Sequence, residues 1–475
     1  MRFIHIIDYG VLKMAVNNTH FGAEEIARKL ENKKAVYFLG IGGITMSSLA
    51  HVTHIHGFKV GGSDRTLSPL TERLAKEGIE IFEGHRAEQL DGYDALVYTV
   101  AVSADTPELV RAKELGIPTI SRSDYLGYIM RSYTNRIGLS GMHGKSTATS
   151  MTTEVFLAGE GDPTVISGAE LSSISGAYNI GGKENFVFES CEYMDSFLDF
   201  YPTIAVVLNI ELDHVDYFKD LDHVKRSFRA YIEKTRGCGC AVLNADDENV
   251  MDIARDFKGS VFTFGVKNEA DIMAKNISFE GGVASFDLCH GSMKKRVNLS
   301  VSGEHNVYNA LAAAACGILC GLKSDLIVKG LANFHGASRR LEFKGELCGA
   351  KIYDDYAHHP TEIAATLKTV RQMGFERVIC VYQPHTYSRT KGLYREFVEA
   401  LRLADIPIMA DIYAARETDT LGVSSEGLAK DIGEKALYFD SFEKIAEYVK
   451  GIAKKGDIIL TMGAGNITHL SKEML

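Results

Sequence analysis

The segment Leu139-Ser140-Gly141-Met142-His143-Gly144-Lys145-Ser146-Thr147 has the residue types needed to hold nucleotide phosphates. Glycines let backbone N–H groups approach phosphate oxygens, and a following helix adds the partial positive charge of its N-terminus. Lys145 is placed to reach the terminal phosphates and the Ser146 hydroxyl to ligate Mg²⁺. The match departs from a strict P-loop at Leu139, where glycine is usual. Downstream, Glu189 and then Asn209-Ile-Glu211-Leu-Asp213-His214-Val-Asp216 supply carboxylates and an imidazole. Mg²⁺ takes one or two such protein ligands beside phosphate oxygens and water. Glu189 and His214 are the ligand candidates, whereas Glu211 and Asp216 also suit a solvated acidic turn.

Three further clusters carry chemistry. Gly40-Ile41-Gly42-Gly43, with Asp64 some twenty residues on, resembles a dinucleotide fingerprint but has Thr45 in place of the third glycine. A diphosphate on the helix N-terminus needs only the first turn. His305-Asn306-Val-Tyr-Asn309 opens an apolar segment; Asn306 suits a helix cap, or Asn306 and Asn309, one turn apart, suit an adenine edge. Asp354-Asp355-Tyr356-Ala357-His358-His359-Pro360 and Tyr382-Gln383-Pro384-His385-Thr386-Tyr387-Ser388-Arg389 gather carboxylates, imidazoles and a guanidinium. So many polar groups at element ends look like a site. Gly463-Ala464-Gly465-Asn466 is explained nearly as well by a tight turn.

The elements that position these residues alternate. Ala35-Val36-Tyr37-Phe38-Leu39 reads as a strand into the glycine turn, followed by a helix through Ser48 to His56 and further strands at 79–82, 95–99 and 118–120. A second series starts with the strand before the phosphate loop and continues through Phe186–Glu189 and Ile204–Asn209, unbroken apolar runs of strands covered on both faces. A weaker β-rich stretch spans 260–299. A third series has strands at 350–353, 378–382, 406–410 and 457–462. Repeated βαβ units predict an α/β protein of three domains, each with a mainly parallel sheet. The N-terminal and C-terminal domains read as Rossmann-like and the central one as P-loop ATPase-like. The expected boundaries are an extension over 1–33, then domains at 34–131, 132–341 and 342–475.

Composition narrows the function. A chain of 475 residues exceeds one core, so several domains are expected. The net charge of −10 argues against a nucleic-acid partner, which favours a basic face. The eight cysteines are scattered without paired zinc spacing, as free thiols in a reducing compartment would be. The longest apolar run, 310–322, is too short to span a bilayer, and Asp8 interrupts the N-terminal apolar stretch. No membrane insertion and a cytoplasmic location are expected.

Taken in order, the segments resemble those of the Mur ligases, ATP-dependent amide-forming enzymes of peptidoglycan assembly. The likeness runs from about Lys34 to the C-terminus. It rests on Gly-Ile-Gly-Gly, Gly-x-His-Gly-Lys-Ser, Asn-Ile-Glu-x-Asp-His-x-Asp, His-Asn-x-x-Asn, Arg339-Arg340, Asp-Asp-Tyr-x-His-His-Pro and Gln-Pro-His. The resemblance implies ATP and Mg²⁺ as cofactors, with Gly141, His143, Gly144, Lys145, Ser146 and Thr147 around the phosphates. It implies Ser146, Glu189 and His214 as metal ligands and Asn306 and Asn309 in the nucleotide pocket. Arg340 and Asp355 would hold ATP; His385, His358 and Arg389 would meet the incoming amino acid; Gly40, Gly42, Gly43, Asp64 and His85 would hold a UDP-sugar. Lys145, Glu189, His214, Arg340, Asp355 and His385 are thus the expected catalytic set. The alanine-adding branch is the nearest in motif, which implies UDP-N-acetylmuramate and L-alanine as substrates.

Departures from that branch are Met142 for the usual Thr, Cys191 for an acid, Thr99-Val100 for a Ser pair, and Thr45 for Gly. The rival within the family adds another amino acid or a preformed peptide and should read differently around Gln383-Pro384-His385. A folylpolyglutamate-type ligase would not need the first domain. A NAD-dependent dehydrogenase would exploit Gly40–Gly43 and leave the ATP site unexplained. A non-catalytic nucleotide-binding protein need not keep His214, Asp355 and His385 together.

Overall fold

Short apolar strands alternate with amphipathic helices along the chain, and the hydrogen bonds between strands gather them into three sheets. The computed structural model describes residues 16–475 except 216, 416, 419 and 420. The first sheet contains β1 (Ala35–Leu39), β2 (Lys59–Asp64), β3 (Glu80–Glu83), β4 (Ala95–Tyr98) and β5 (Thr119–Ser121) in the order β3-β2-β1-β4-β5. All its pairings are parallel. Central β1 is buried throughout, as expected where helices cover both faces.

Residues 16–134, 178–180 and 194–201 form one compact unit, and 135–177, 181–193 and 202–475 another. Residues 16–33, set apart from the sequence as extension, pack within the first unit. Ile26 and Leu30 are buried, and the Phe21 and Gly22 amides and the Thr19 hydroxyl donate to buried Asp124.

The second unit holds the other two sheets, except that residues 178 and 179 fall in the first. One contains β6 (Asn135–Ser140), β7 (Thr164–Leu171), β8 (Gly176–Asn179), β9 (Asn185–Glu189), β10 (Ile204–Val207), β11 (Cys240–Asn244), β12 (Ser260–Gly265), β13 (Ile272–Glu280), β14 (Val283–His290) and β15 (Met293–Ser302). Their order is β15-β14-β13-β12-β11-β10-β6-β9-β7-β8. The pairings from β13 through β6 to β7 are parallel, and β13-β14-β15 is an antiparallel meander. The helix Lys145–Ala158 and the alanine-rich helix His305–Leu319 pack in the core of this sheet. The latter takes up residues 310–319 of the apolar run 310–322 and buries most of them.

The last sheet contains β16 (Glu342–Leu347), β17 (Ala350–Asp355), β18 (Arg377–Tyr382), β19 (Ile406–Met409), β20 (Leu437–Tyr438) and β21 (Asp457–Met462), ordered β16-β17-β21-β18-β19-β20. Only β16 runs antiparallel. The edge strands β16 and β20 escape a sequence reading. The charges at Glu342, Lys344 and Glu346 mask the first, and the second is two residues long. The three-sheet, mainly parallel α/β architecture is the one the alternation predicts.

Candidate active site

The phosphate loop is shaped by its glycines and braced by one asparagine. Gly141 (φ 140°) and Gly144 (φ 83°) adopt left-handed backbone, which costs glycine nothing and other residues strain. Gly144 also has no room for a side chain, because a Cβ would lie 2.8 Å from Asn309 Oδ1. Asn209, just past β10, accepts from the His143 amide (2.8 Å) and donates to the His143 carbonyl (2.9 Å). The Met142 amide donates to the Asn209 carbonyl, so that donor is committed to the loop's own support.

Lys145 opens the helix and folds back over the loop, donating to the Gly141 carbonyl at 2.6 Å. Its ammonium pairs with Glu192 at 2.9 Å, and Glu192 lies 3.3 Å from His214 Nε2. Burial would neutralise both partners, but their mutual attraction outweighs it. It holds the lysine above and the glutamate below its ordinary range. Glu189, the carboxylate expected from the sequence, accepts from Ser146 Oγ at 2.8 Å and from the Gly168 amide. Arg340 reaches the same hydroxyl at 3.4 Å.

Glu192 is a site residue that the sequence reading missed. A buried lysine needs a counter-charge, and that requirement was the available signal. Asp216 lies outside the described residues.

His214 occupies a left-handed conformation (φ 48°), an arrangement that costs a non-glycine residue about 1–3 kcal/mol and persists where surroundings enforce it. The enforcing neighbour is Asp213, which accepts from the His214 amide and from Arg389 Nε at 3.0 Å. Asp213 and Arg389 are both buried. Burial opposes the charge on Asp213, yet Arg389 holds the carboxyl far below its usual range. Arg389 Nη1 donates in turn to His385 Nδ1 at 3.2 Å. A guanidinium can only donate, so the proton of a neutral His385 ring resides on Nε2.

The other residues of the last sheet divide into supports and cavity-facing groups. Asp354 is a support: it takes Arg339, Thr461 and Thr468. Arg339 also ties down the carbonyls of Gly463 and Gly465, and Asn466 accepts from Gln383, so the final glycine turn is structural. Asp355 accepts from the amides of Leu341 and Ala357; burial lifts it to about 6 against the pull of Arg340. His358 lies 6.1 Å, ring to ring, from His385, and burial, reinforced by Arg389, pushes it down to about 4.

Glu362, unread in the sequence, accepts from the His358 and His359 amides and pairs with His143 at 3.2 Å. Burial would lower His143, but Glu362 and Glu211 overcome it and hold the imidazole up at about 10.

A cavity of about 900 Å³ opens beside the loop, lined among others by His143, Thr147, Asn306, Asn309, Arg340 and Asp355. Asn306 is not the helix cap, a position Glu304 occupies. Its amide donates to the Ser302 carbonyl and its oxygen accepts from Asn309.

In the first unit, Gly40 and Ile41 donate to the Ser63 carbonyl, and Gly42 donates to Asp64 Oδ2 at 2.8 Å. The Asp64 carboxylate therefore braces the glycine turn. The first-turn amides of the helix Ile44–Ile55 have no helical acceptor and can meet phosphate oxygens. His85 Nδ1 is tethered to Ser63 and to buried Glu108.

Comparison with known proteins covers this whole arrangement. Residues 35–134 match the family described as "Mur ligase family, catalytic domain", 139–317 the "Mur ligase middle domain", and 339–465 the "Mur ligase, glutamate ligase domain". The chain is 46% identical over 448 residues to a UDP-N-acetylmuramate–L-alanine ligase of Acetivibrio thermocellus, across 93% of this chain and 96% of that one. It is 45% identical to the enzyme of the same name from Caldicellulosiruptor bescii, covering 91% and 96%. Among solved structures it is similar to the UDP-N-acetylmuramate-alanine ligase of Thermotoga maritima, with a TM-score of 0.77 at 26% identity over 93% and 98% of the two chains. A murein peptide ligase of Psychrobacter arcticus, with a TM-score of 0.69 at 24% identity over 93% and 98%, shares the fold.

Proposed function

The chain belongs to the Mur ligase family, and from that premise we propose that it joins L-alanine to the carboxylate of UDP-N-acetylmuramate, consuming ATP and releasing ADP and phosphate. Beyond the likeness to the alanine-adding relatives, one observation carries this reading. The pair Lys145–Glu192 reaches His214, whose neighbour Asp213 holds Arg389 and through it His385. Groups suited to phosphates and groups suited to an amino acid thus form one connected set.

A carboxylate resists attack by an amine because its oxygen leaves poorly. Transfer of the terminal phosphoryl group of ATP converts it to an acyl phosphate, which the amine attacks to give a tetrahedral intermediate and then the amide. Lys145 and Arg340 stabilise charge on the transferring group. Asn306, Asn309 and the cavity they line hold the base and ribose, and Gly141–Thr147 the phosphates. Ser146, Glu189, Glu192 and His214 fit Mg²⁺, a hard ion that prefers oxygen ligands: the set is mostly oxygen, and Glu192 is kept ionised although buried. Bound there, the ion would neutralise charge between the phosphates.

His358, near 4, is too weak a base for an ammonium group. His385 presents Nε2–H, a donor that with Arg389 suits the amino-acid carboxylate. The amine then loses its proton to solvent before the site closes. We assign residues 34–131 to the UDP-sugar, with Gly40, Gly42, Gly43, Asp64 and His85 shaping its site, 132–341 to ATP, and 342–475 to the amino acid. We place the reaction in the cytoplasm.

The test is phosphate release with UDP-N-acetylmuramate and ATP against a panel of amino acids and peptides. L-Alanine should be fastest. Glycine and L-serine should follow within about 10–200-fold, since one methylene in a pocket is worth roughly 1–3 kcal/mol. Faster attachment of a tripeptide or of D-glutamate would move the chain to another branch of the family.

A further inference from the structure

Three side chains outside the Mg²⁺ set converge between the phosphate loop and the helix Pro360–Gln372. His143 Nε2 lies 3.4 Å from Glu211 Oε2, His359 Nδ1 lies 3.9 Å from the same oxygen, and the two imidazole rings are 4.7 Å apart. One ligand atom from each residue falls within 4.8 Å of the others. We propose that His143, Glu211 and His359 bind a single divalent transition ion of the Zn²⁺ type, which staples the phosphate loop to the start of that helix.

The chemistry of the donors selects the ion. Two imidazoles and one carboxylate suit Zn²⁺, Co²⁺ or Ni²⁺, whereas Mg²⁺ favours oxygen and water. Zinc bonds of 2.0–2.2 Å in a tetrahedral shell put neighbouring ligand atoms about 3.3–3.5 Å apart. The His143–Glu211 separation already has that span, whereas His359 Nδ1, 3.9 Å from Glu211, has to move closer.

His143 and Glu211 have supporting partners. Glu362 Oε1 holds His143 Nδ1 at 3.2 Å, and Thr361 Oγ donates to Glu211 at 2.7 Å. Metal-ligating histidines ordinarily have such a partner on the far nitrogen. The two carboxylates also offer negative charge that a cation would offset. His143 and Glu211 line the 900 Å³ cavity, which supplies an entry path.

His359 is 5% exposed, and Nδ1, its nitrogen nearest Glu211, accepts from the Thr361 amide at 3.3 Å. An ion at Nδ1 displaces that capping contact, one that serine or aspartate would make as well, and leaves the ring proton on the buried Nε2, which has no hydrogen-bond partner.

The experiment is Zn²⁺ titration by calorimetry and Co²⁺ absorption spectroscopy on the full chain, with Mg²⁺ in excess. Exposed Cys238 and Cys348 are replaced by serine to remove competing thiols. One equivalent should bind, the Co²⁺ spectrum should show d–d bands without a thiolate charge-transfer band, and Tm should rise with Zn²⁺. His359→Gln should weaken binding by at least ~100-fold, the upper end of what losing an outer-shell partner costs. Glu211→Gln, at a half-exposed position that tolerates change, should weaken it likewise and decides the matter if His359→Gln does not fold. Unchanged affinity in the folded variants, or a thiolate band, overturns the proposal. Neither readout requires turnover.

Discussion

Lys145 owes its position to Glu192, and the pair shows how much of the site is a matter of single charges. The lysine is buried, and an ammonium left alone there would lose its proton. With Glu192 at 2.9 Å it stays charged. Lys145→Ala should abolish turnover while far-ultraviolet circular dichroism stays native. The expected loss is about 10³–10⁵-fold, the range spanned by a charge aimed at a transferring phosphoryl group. Glu192→Gln should lower turnover in the same direction, because it removes the counter-charge of Lys145 and a neighbour of His214. ATP turnover near that of the wild type in Lys145→Ala would refute the phosphate-loop assignment.

At the scale of elements, the site is assembled where strands end. β6, β9 and β10 are parallel neighbours, so their carboxyl ends bring Gly141, Glu189 and Asn209 to one edge. β17, β18 and β21 do the same for Asp355, Gln383 and Gly463. The buried Asp213–Arg389 pair ties the two edges together, beside the contacts of Arg340 with Ser146, Glu362 with His143 and Thr361 with Glu211. Removing one member of such a pair leaves an uncompensated charge and costs about 3–5 kcal/mol. Asp213→Asn should therefore lower the unfolding free energy by an amount in that range, read as a fall in the urea midpoint. It should also free His214 from its left-handed backbone and raise KM for the amino acid through Arg389. A urea midpoint equal to that of the wild type would show that the pair does not tie the edges.

Across the molecule, the charge state of His143 should be readable in stability. His143 is raised from 6.5 to about 10 by Glu362 and Glu211. The folded chain therefore binds more protons than the unfolded one between these values. Its contribution is fully present below pH 6.5 and is lost as pH rises toward 10. In chelator, stability should fall between pH 6.5 and 9 with a slope of up to about 1.4 kcal/mol per pH unit. His143→Gln should flatten that limb. Above pH 9 buried thiols such as Cys191, pushed up to about 11, add a decline of the same sign. Urea denaturation across this range checks the prediction, which fails if wild type and His143→Gln share one slope.

Local chemistry wrote much of this protein into its sequence. Glycine spacing between a strand and a helix points to a phosphate loop, and unbroken apolar runs point to strands covered on both faces, so the three strand series and the order of motifs were legible, while β7, β8 and β11 were not. Lys145, Ser146, Asn306 and Asp355 stand out as candidates because their neighbours along the chain carry the signal, and Arg340 through the family resemblance. Glu192 and Glu362 do not, and Asp213, although part of the carboxylate run, has no role legible there, because an acidic residue in a turn or first helical turn looks the same whether solvated or buried. Their roles come from partners distant in sequence: Arg389 stands 176 residues from Asp213, and Glu362 meets a histidine of the phosphate loop. The pKa of a histidine is likewise undecided by its motif. His143 and His358 stand in equally polar segments, yet one is held near 10 and the other near 4. Burial and the identity of the facing charge decide which, and only the tertiary structure fixes both.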